Sequence, residues 1–123
     1  MAPYRLRPDS VAFGVRAGWR EHARHGNGEF EALYLFELDG ERLRLVLAEP
    51  MMAHTFIMVK SKSDGPGSVK EVQDSNTVVI SKHASEGYYD LQIKSQASRK
   101  ARTLTWSAQH REYRAPVAKA LAQ

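Results

Sequence analysis

The chain has 123 residues and no cysteine, and its net charge of +4 is the balance of 18 Lys and Arg against 14 Asp and Glu. That length suits one domain, residues 1–123, around a single core. The missing thiols exclude a disulfide framework, a thiolate metal site and a cysteine nucleophile. No apolar run approaches the ~20 residues of a membrane helix, and MAPYRLRPDS has no apolar signal region, so the expectation is a cytoplasmic chain with no membrane contact.

In chain order, residues 1–9 read as an N-terminal arm. Val11, Phe13, Val15, Ala17 and Trp19 are apolar at every odd position, with Ala12, Gly14, Arg16, Gly18 and Arg20 between them. Two interior glycines weaken a helix, and strict alternation predicts a long strand with one solvated face. The odd residues form its expected buried side, Trp19 among them. Glu21–Gly28 reads as a loop.

The segment Glu29–Glu49 predicts a β-hairpin, with Asp39-Gly40 as its two-residue turn. In that register Phe36 faces Leu43, Tyr34 faces Leu45 and Ala32 faces Leu47 on the expected inner side. Glu37 and Arg42 meet on the other. That second side also carries Leu33, Leu35 and Val46, apolar where a solvated strand should be polar. Either a second layer covers them or they form an interface with a partner, such as a second copy.

Pro50 is expected to end the hairpin, because proline cannot donate to a ladder. His54–Lys62 and Thr77–Lys82 read as further strands, separated by the turn cluster Asp64-Gly65-Pro66-Gly67. Tyr89, Leu91 and Ile93 then share one strand face after a turn at Ala84–Gly87. Leu104, Trp106 and Ala108 answer them across the polar turn Ser95–Lys100. Pro116 suits the first position of a short helix, so residues 114–123 read as a C-terminal helix or tail. The expected fold is all-β: an antiparallel sandwich or small barrel of about six or seven strands with that helix.

Catalytic motifs are missing. Ser68 lacks the glycine spacing of a nucleophile elbow, and Gly65–Lys70 lacks the longer spacing of a phosphate loop. Ser81, His83 and Asp90 lie close in sequence, but a triad is defined by geometry. His22 and His25 could approach one cation, yet no carboxylates complete a set and Arg20 and Arg24 oppose it. Neither a catalytic residue, a metal nor a cofactor is therefore expected.

Charge is more informative. From Leu91 to Arg111 there is no acid, while Lys94, Arg99, Lys100 and Arg102 gather around one expected hairpin. Such a cluster suits a nucleic acid or another polyanion, with an exposed Tyr88 as a stacking platform. The acidic stretch 26–58, with six carboxylates against Arg42 and Arg44, counts against it. The expected function is a non-enzymatic module that binds a protein partner or itself through a sheet face or loops. Polyanion binding through residues 94–102 is the alternative, and a small enzyme with a pocket between sheets is the second alternative.

Overall fold

The computed structural model describes residues 2–24, 26–59 and 67–116. They are all-β. The strands are β1 (Ala2–Arg7), β2 (Ser10–Ala23), β3 (Gly26–Asp39), β4 (Arg42–Val59), β5 (Ser68–Ser85), β6 (Tyr88–Ser95), β7 (Ala101–Ser107) and β8 (Glu112–Arg114). Each pairs antiparallel with the next in sequence order, as one eight-stranded sheet. The expected sandwich or barrel of six or seven strands thus gives way to a single eight-stranded meander. Residues 1–9, read as an arm, contain β1. No helix occurs among the described residues, and 117–123, where one was expected, lie outside them.

The sheet curls, so that β1 also touches β6 and β4 touches β8. The core lies in this fold. Leu6, Ala12, Leu33, Leu35, Val46 and Met51 come from β1–β4, and Leu91, Ile93, Leu104, Trp106 and Tyr113 meet them from β6–β8. Burial on this scale contributes about 1.5–3 kcal/mol per large apolar side chain.

The hairpin between β3 and β4 exists, but its register differs from the expected one. Asp39 pairs with Arg42, Leu38 with Leu43 and Phe36 with Leu45. The central turn residues are therefore Gly40 and Glu41. Gly40 has φ +63°, while Glu41 is not among the residues with positive φ. Glycine at the first central position is the requirement of a type II′ turn, whereas the expected turn needed positive φ at both Asp39 and Gly40.

Of the expected inner side, Ala32 and Leu47 are buried, but the rest of the inner and outer faces is exchanged. Leu33, Leu35 and Val46 are buried beneath β6–β8, whereas Phe13, Val15, Leu45 and Trp19 are exposed. The reason lies in β1 and β2. Ala12 and Gly14 point inward, and Tyr4 of β1 covers Gly14 so closely that a Cβ there would come within 2.5 Å of its ring. Small residues on the less apolar face of β2 leave room for Tyr4 and Leu33.

Strand β4 passes through Pro50 instead of ending there. The register shifts between Glu31 and Ala32, where Ala32 pairs with Pro50 and Glu31 with Met52. Met51 is the extra residue of this β-bulge and is fully buried. A bulge is a place where a sheet tolerates proline. The Pro50 carbonyl accepts a hydrogen bond from the Asn76 side chain at 2.9 Å.

Beyond the core, β2, β3, β4 and the first half of β5 continue as a four-stranded extension. Strand β1 pairs with β2 only up to Gly14, and β6 pairs with β5 only from Asn76 onward.

Candidate interaction surface

Cross-strand partners share a face in an antiparallel sheet, so the register assigns the outward side of β2–β5. Phe13 lies beside Phe36, which lies beside Leu45; Val15 lies beside Tyr34; Leu38 faces Leu43. Further along, Trp19 stacks on Phe30 with ring centroids 5.7 Å apart. Phe13, Val15, Trp19, Leu38, Leu43, Leu45, Ile57 and Val72 keep between 37 and 62% of their surface exposed. An isolated exposed leucine is ordinary, but a contiguous set spread over adjacent strands is not.

At one end of this face lies a shallow apolar groove of about 310 Å³, walled by Phe30, Thr55 and Ile57 and floored by Gly26 and Gly28. A Cβ on Gly28 would come within 2.6 Å of the Phe30 ring, and one on Gly26 would collide with the Phe56 carbonyl oxygen. The groove exists because these two positions carry no side chain.

The opposite face of the extension carries ion pairs, with the exposed Met58 and Val69 at its far end. Arg16 donates to Glu31 at 2.8 Å, and Arg20 lies 3.2 Å from Glu29. The Arg16 guanidinium is held above its ordinary pKa by that hydrogen bond. His54 and Glu71 are 2.6 Å apart on the same side.

The structure divides the sequence-predicted basic patch. Ile93 pairs with Arg102 and Lys94 with Ala101, so Lys94 and Arg102 point to opposite sides of the sheet. Arg102 reaches Glu49 of β4 in an ion pair, so it is already partnered. The loop itself, which carries Arg99 and Lys100, is anchored by Asp74: its carboxylate accepts hydrogen bonds from the Ser95 hydroxyl and the Ala97 amide. The acid-free run in sequence is therefore not acid-free in space.

Tyr88, expected as an exposed platform, is buried. It stacks on Trp106 with centroids 3.7 Å apart, and its hydroxyl donates to Glu37 Oε1 at 2.7 Å. Burial and this contact push its pKa up to about 12. Arg7 lies over the Tyr88 ring and 3.8 Å from Glu37 Oε2. Tyr113, edge-on to both aromatic rings, donates to the Tyr89 carbonyl, and burial raises its pKa further still. Trp106 is buried as expected, while Trp19 is not.

His83 and Asp90 do meet, with Nδ1 and Oδ2 2.7 Å apart across a β-bulge between β5 and β6. The Ser81 hydroxyl, however, accepts from the main-chain N–H of His83. A catalytic triad instead requires the hydroxyl on the imidazole. His22 bonds to Asn27, and His25 lies outside the described residues. Leu33, Leu35 and Val46, expected as a partner interface, sit in the chain's own core.

Sequence reasoning identified apolar alternation on both sides of the hairpin but named the wrong side as outer. The signal that could have found the right one was the smallness of Ala12 and Gly14 beside Leu33 and Leu35. Comparison with protein-family models, curated proteins and solved structures gives no match.

Proposed function

We propose that this protein is a non-enzymatic interaction module whose outward face on β2–β5 packs against the same face of a second copy. One observation carries the reading: the contiguous exposed apolar surface of Phe13, Trp19, Leu43, Leu45 and their neighbours. Large side chains expose roughly 200 Å² each when unburied. Eight of them at about half exposure offer on the order of 700 Å², close to the ~800 Å² each partner buries in a stable complex. Because the surface would meet a copy of itself, the contact is isologous and closes as a dimer.

With β6–β8 beneath and a second copy above, β2–β4 become the middle layer of a stack of sheets, packed about 10 Å apart. A cytoplasmic setting suits a chain with no cysteine to oxidise. Polyanion binding through Lys94, Arg99, Lys100 and Arg102 has weaker support, because Arg102 is paired with Glu49 and Lys94 points away from it.

Sedimentation velocity over a concentration series tests the proposal. The wild type should shift from monomer to dimer as concentration rises. Leu45→Arg, at an exposed position, should weaken this concentration-dependent dimerisation while keeping the melting temperature of the dilute wild type. A wild type that stays monomeric throughout contradicts the reading.

A further inference from the structure

We propose that the four-stranded extension also associates edge to edge, with β2 of one copy pairing antiparallel with β5 of the next. This contact uses the sheet edges and does not rest on the apolar face.

Both edges are open over long, regular stretches. Past Gly14 no described strand pairs with the outer side of β2, and its pairing to β3 continues to Ala23 without a bulge. Among the described residues, the outer side of β5 has no pairing strand from Ser68 to Gln73 and is bounded by the Gln96 amide, which donates to the Ser75 carbonyl. Natural edge strands are blunted by proline, bulges, very short length or like-charged side chains, and the charges on these two edges are of complementary sign, so the first three devices are the ones to look for. None of these devices occurs at Gly18–Ala23 or Ser68–Gln73.

Geometry then selects the partner edge. The extension has an even number of strands, so β2 and β5 run in opposite directions. A second copy placed in the same orientation therefore continues the sheet antiparallel, with its charged and apolar faces matched. Charge points the same way. Between Val15 and Arg24, β2 and its end carry Arg16, Arg20 and Arg24 against Glu21, whereas Ser68–Ser75 carries Glu71 and Asp74 against Lys70. Two β2 edges would set like charges together, which is unfavourable for cross-strand neighbours.

A single register satisfies the side chains on both faces. Placing Arg20 opposite Glu71 on the charged face also places Glu21 opposite Lys70 and Trp19 opposite Val72 on the apolar face. These facings follow from the observed pairings of Arg20 with Glu29, Phe56 with Glu71, Glu21 with Gly28 and Ile57 with Lys70. Such a contact is heterologous, and it generates a ring or a filament according to whether its rotation closes.

The absence of native cysteine makes the test specific. Within one chain, Glu21 and Lys70 are separated by β3 and β4, roughly 14 Å at three strand spacings. That is beyond the ~7 Å limit for a disulfide, so any bridge between them joins two molecules. A Glu21→Cys, Lys70→Cys double variant, oxidised at high concentration, should give a ladder of dimers, trimers and larger species that collapses under reductant. Neither single variant should form the ladder. Arg20→Glu should weaken edge association by about tenfold, and adding Glu71→Arg should restore it. Adding Leu45→Arg to the double-cysteine variant should leave the ladder intact, which separates this contact from the apolar face. The proposal is overturned by the absence of a ladder or by loss of the ladder with Leu45→Arg.

Discussion

Glu37 is the residue on which the inner end of the fold turns. It is a buried carboxylate with Oε1 satisfied by Tyr88 and Oε2 without a hydrogen bond, facing an equally unbonded Arg7 Nε at 3.8 Å. Tyr88→Phe removes the only hydrogen bond to that carboxylate among the described residues and should cost about 1–3 kcal/mol in denaturant unfolding. The same hydroxyl sets a pH dependence. Its folded pKa of about 12 lies above the ordinary 10.0, so the fold favours the protonated phenol. That stabilisation is complete below pH 10 and is lost as pH rises through about 12. Denaturation midpoints measured up that range should fall, and they should fall less steeply in Tyr88→Phe. An equal slope in both proteins would assign the loss to other groups.

Gly40 makes a different point at the same scale. No atom lies within 4 Å of a Cβ built there, so a substitution meets no clash, only its φ of +63°. Gly40→Val should therefore destabilise by about 1–2 kcal/mol through backbone strain alone. An unchanged midpoint would show that the turn tolerates a β-branched residue.

At the scale of the element, β2 explains both what was legible and what was not. Its alternation from Val11 to Trp19 predicts a strand, and a strand is there. Alternation separates two faces but does not say which one is covered. The assumption that the more apolar face is inner fails here, because Tyr4 and Leu33 fill the space above Ala12 and Gly14. The same exchange moves Leu33, Leu35 and Val46 from a predicted interface into the core and brings Phe36 and Leu45 outward. Length was the other thing hidden. Pro50 and the polar run Ser68–Ser75 both argue against strand locally, yet bulge geometry and pairing with β4 keep them in the sheet. The turns were more legible: Glu86 and Gly87, with φ of 51° and 90°, close the expected β5–β6 hairpin.

The glycines of the extension carry a prediction at this scale. Gly26→Ala drives a Cβ into the Phe56 carbonyl, which is backbone and cannot move alone, whereas the same change at Gly18 meets only the Phe30 carbonyl at 3.4 Å. Thermal unfolding should show Gly26→Ala destabilised by about 1–3 kcal/mol and Gly18→Ala near neutral. Equal effects would mean that the close approach between β3 and β4 is not maintained.

Across the whole molecule, charge patterning along the chain was a poor guide to charge in space. The acidic middle and basic final third look like two surfaces in sequence, but an antiparallel meander lays them against each other. Glu49 pairs with Arg102, and Asp39 takes both Arg44 and Arg111. Those two arginines hold the Asp39 carboxyl below its ordinary pKa, the nearer Arg44 most strongly. What distinguishes the surface is then its apolar side, and the central claim is that this side is covered by a second copy. Trp19 reports on it directly, since it is 43% exposed on that face while Trp106 is only 7% exposed in the core. The most direct measurement is tryptophan emission and quencher access across a dilution series, with Trp19→Phe as reference. The account predicts that Trp19 emission moves to shorter wavelength and becomes protected from quencher as concentration rises, with Trp106 unchanged. A Trp19 signal that stays solvent-exposed at every concentration would contradict it.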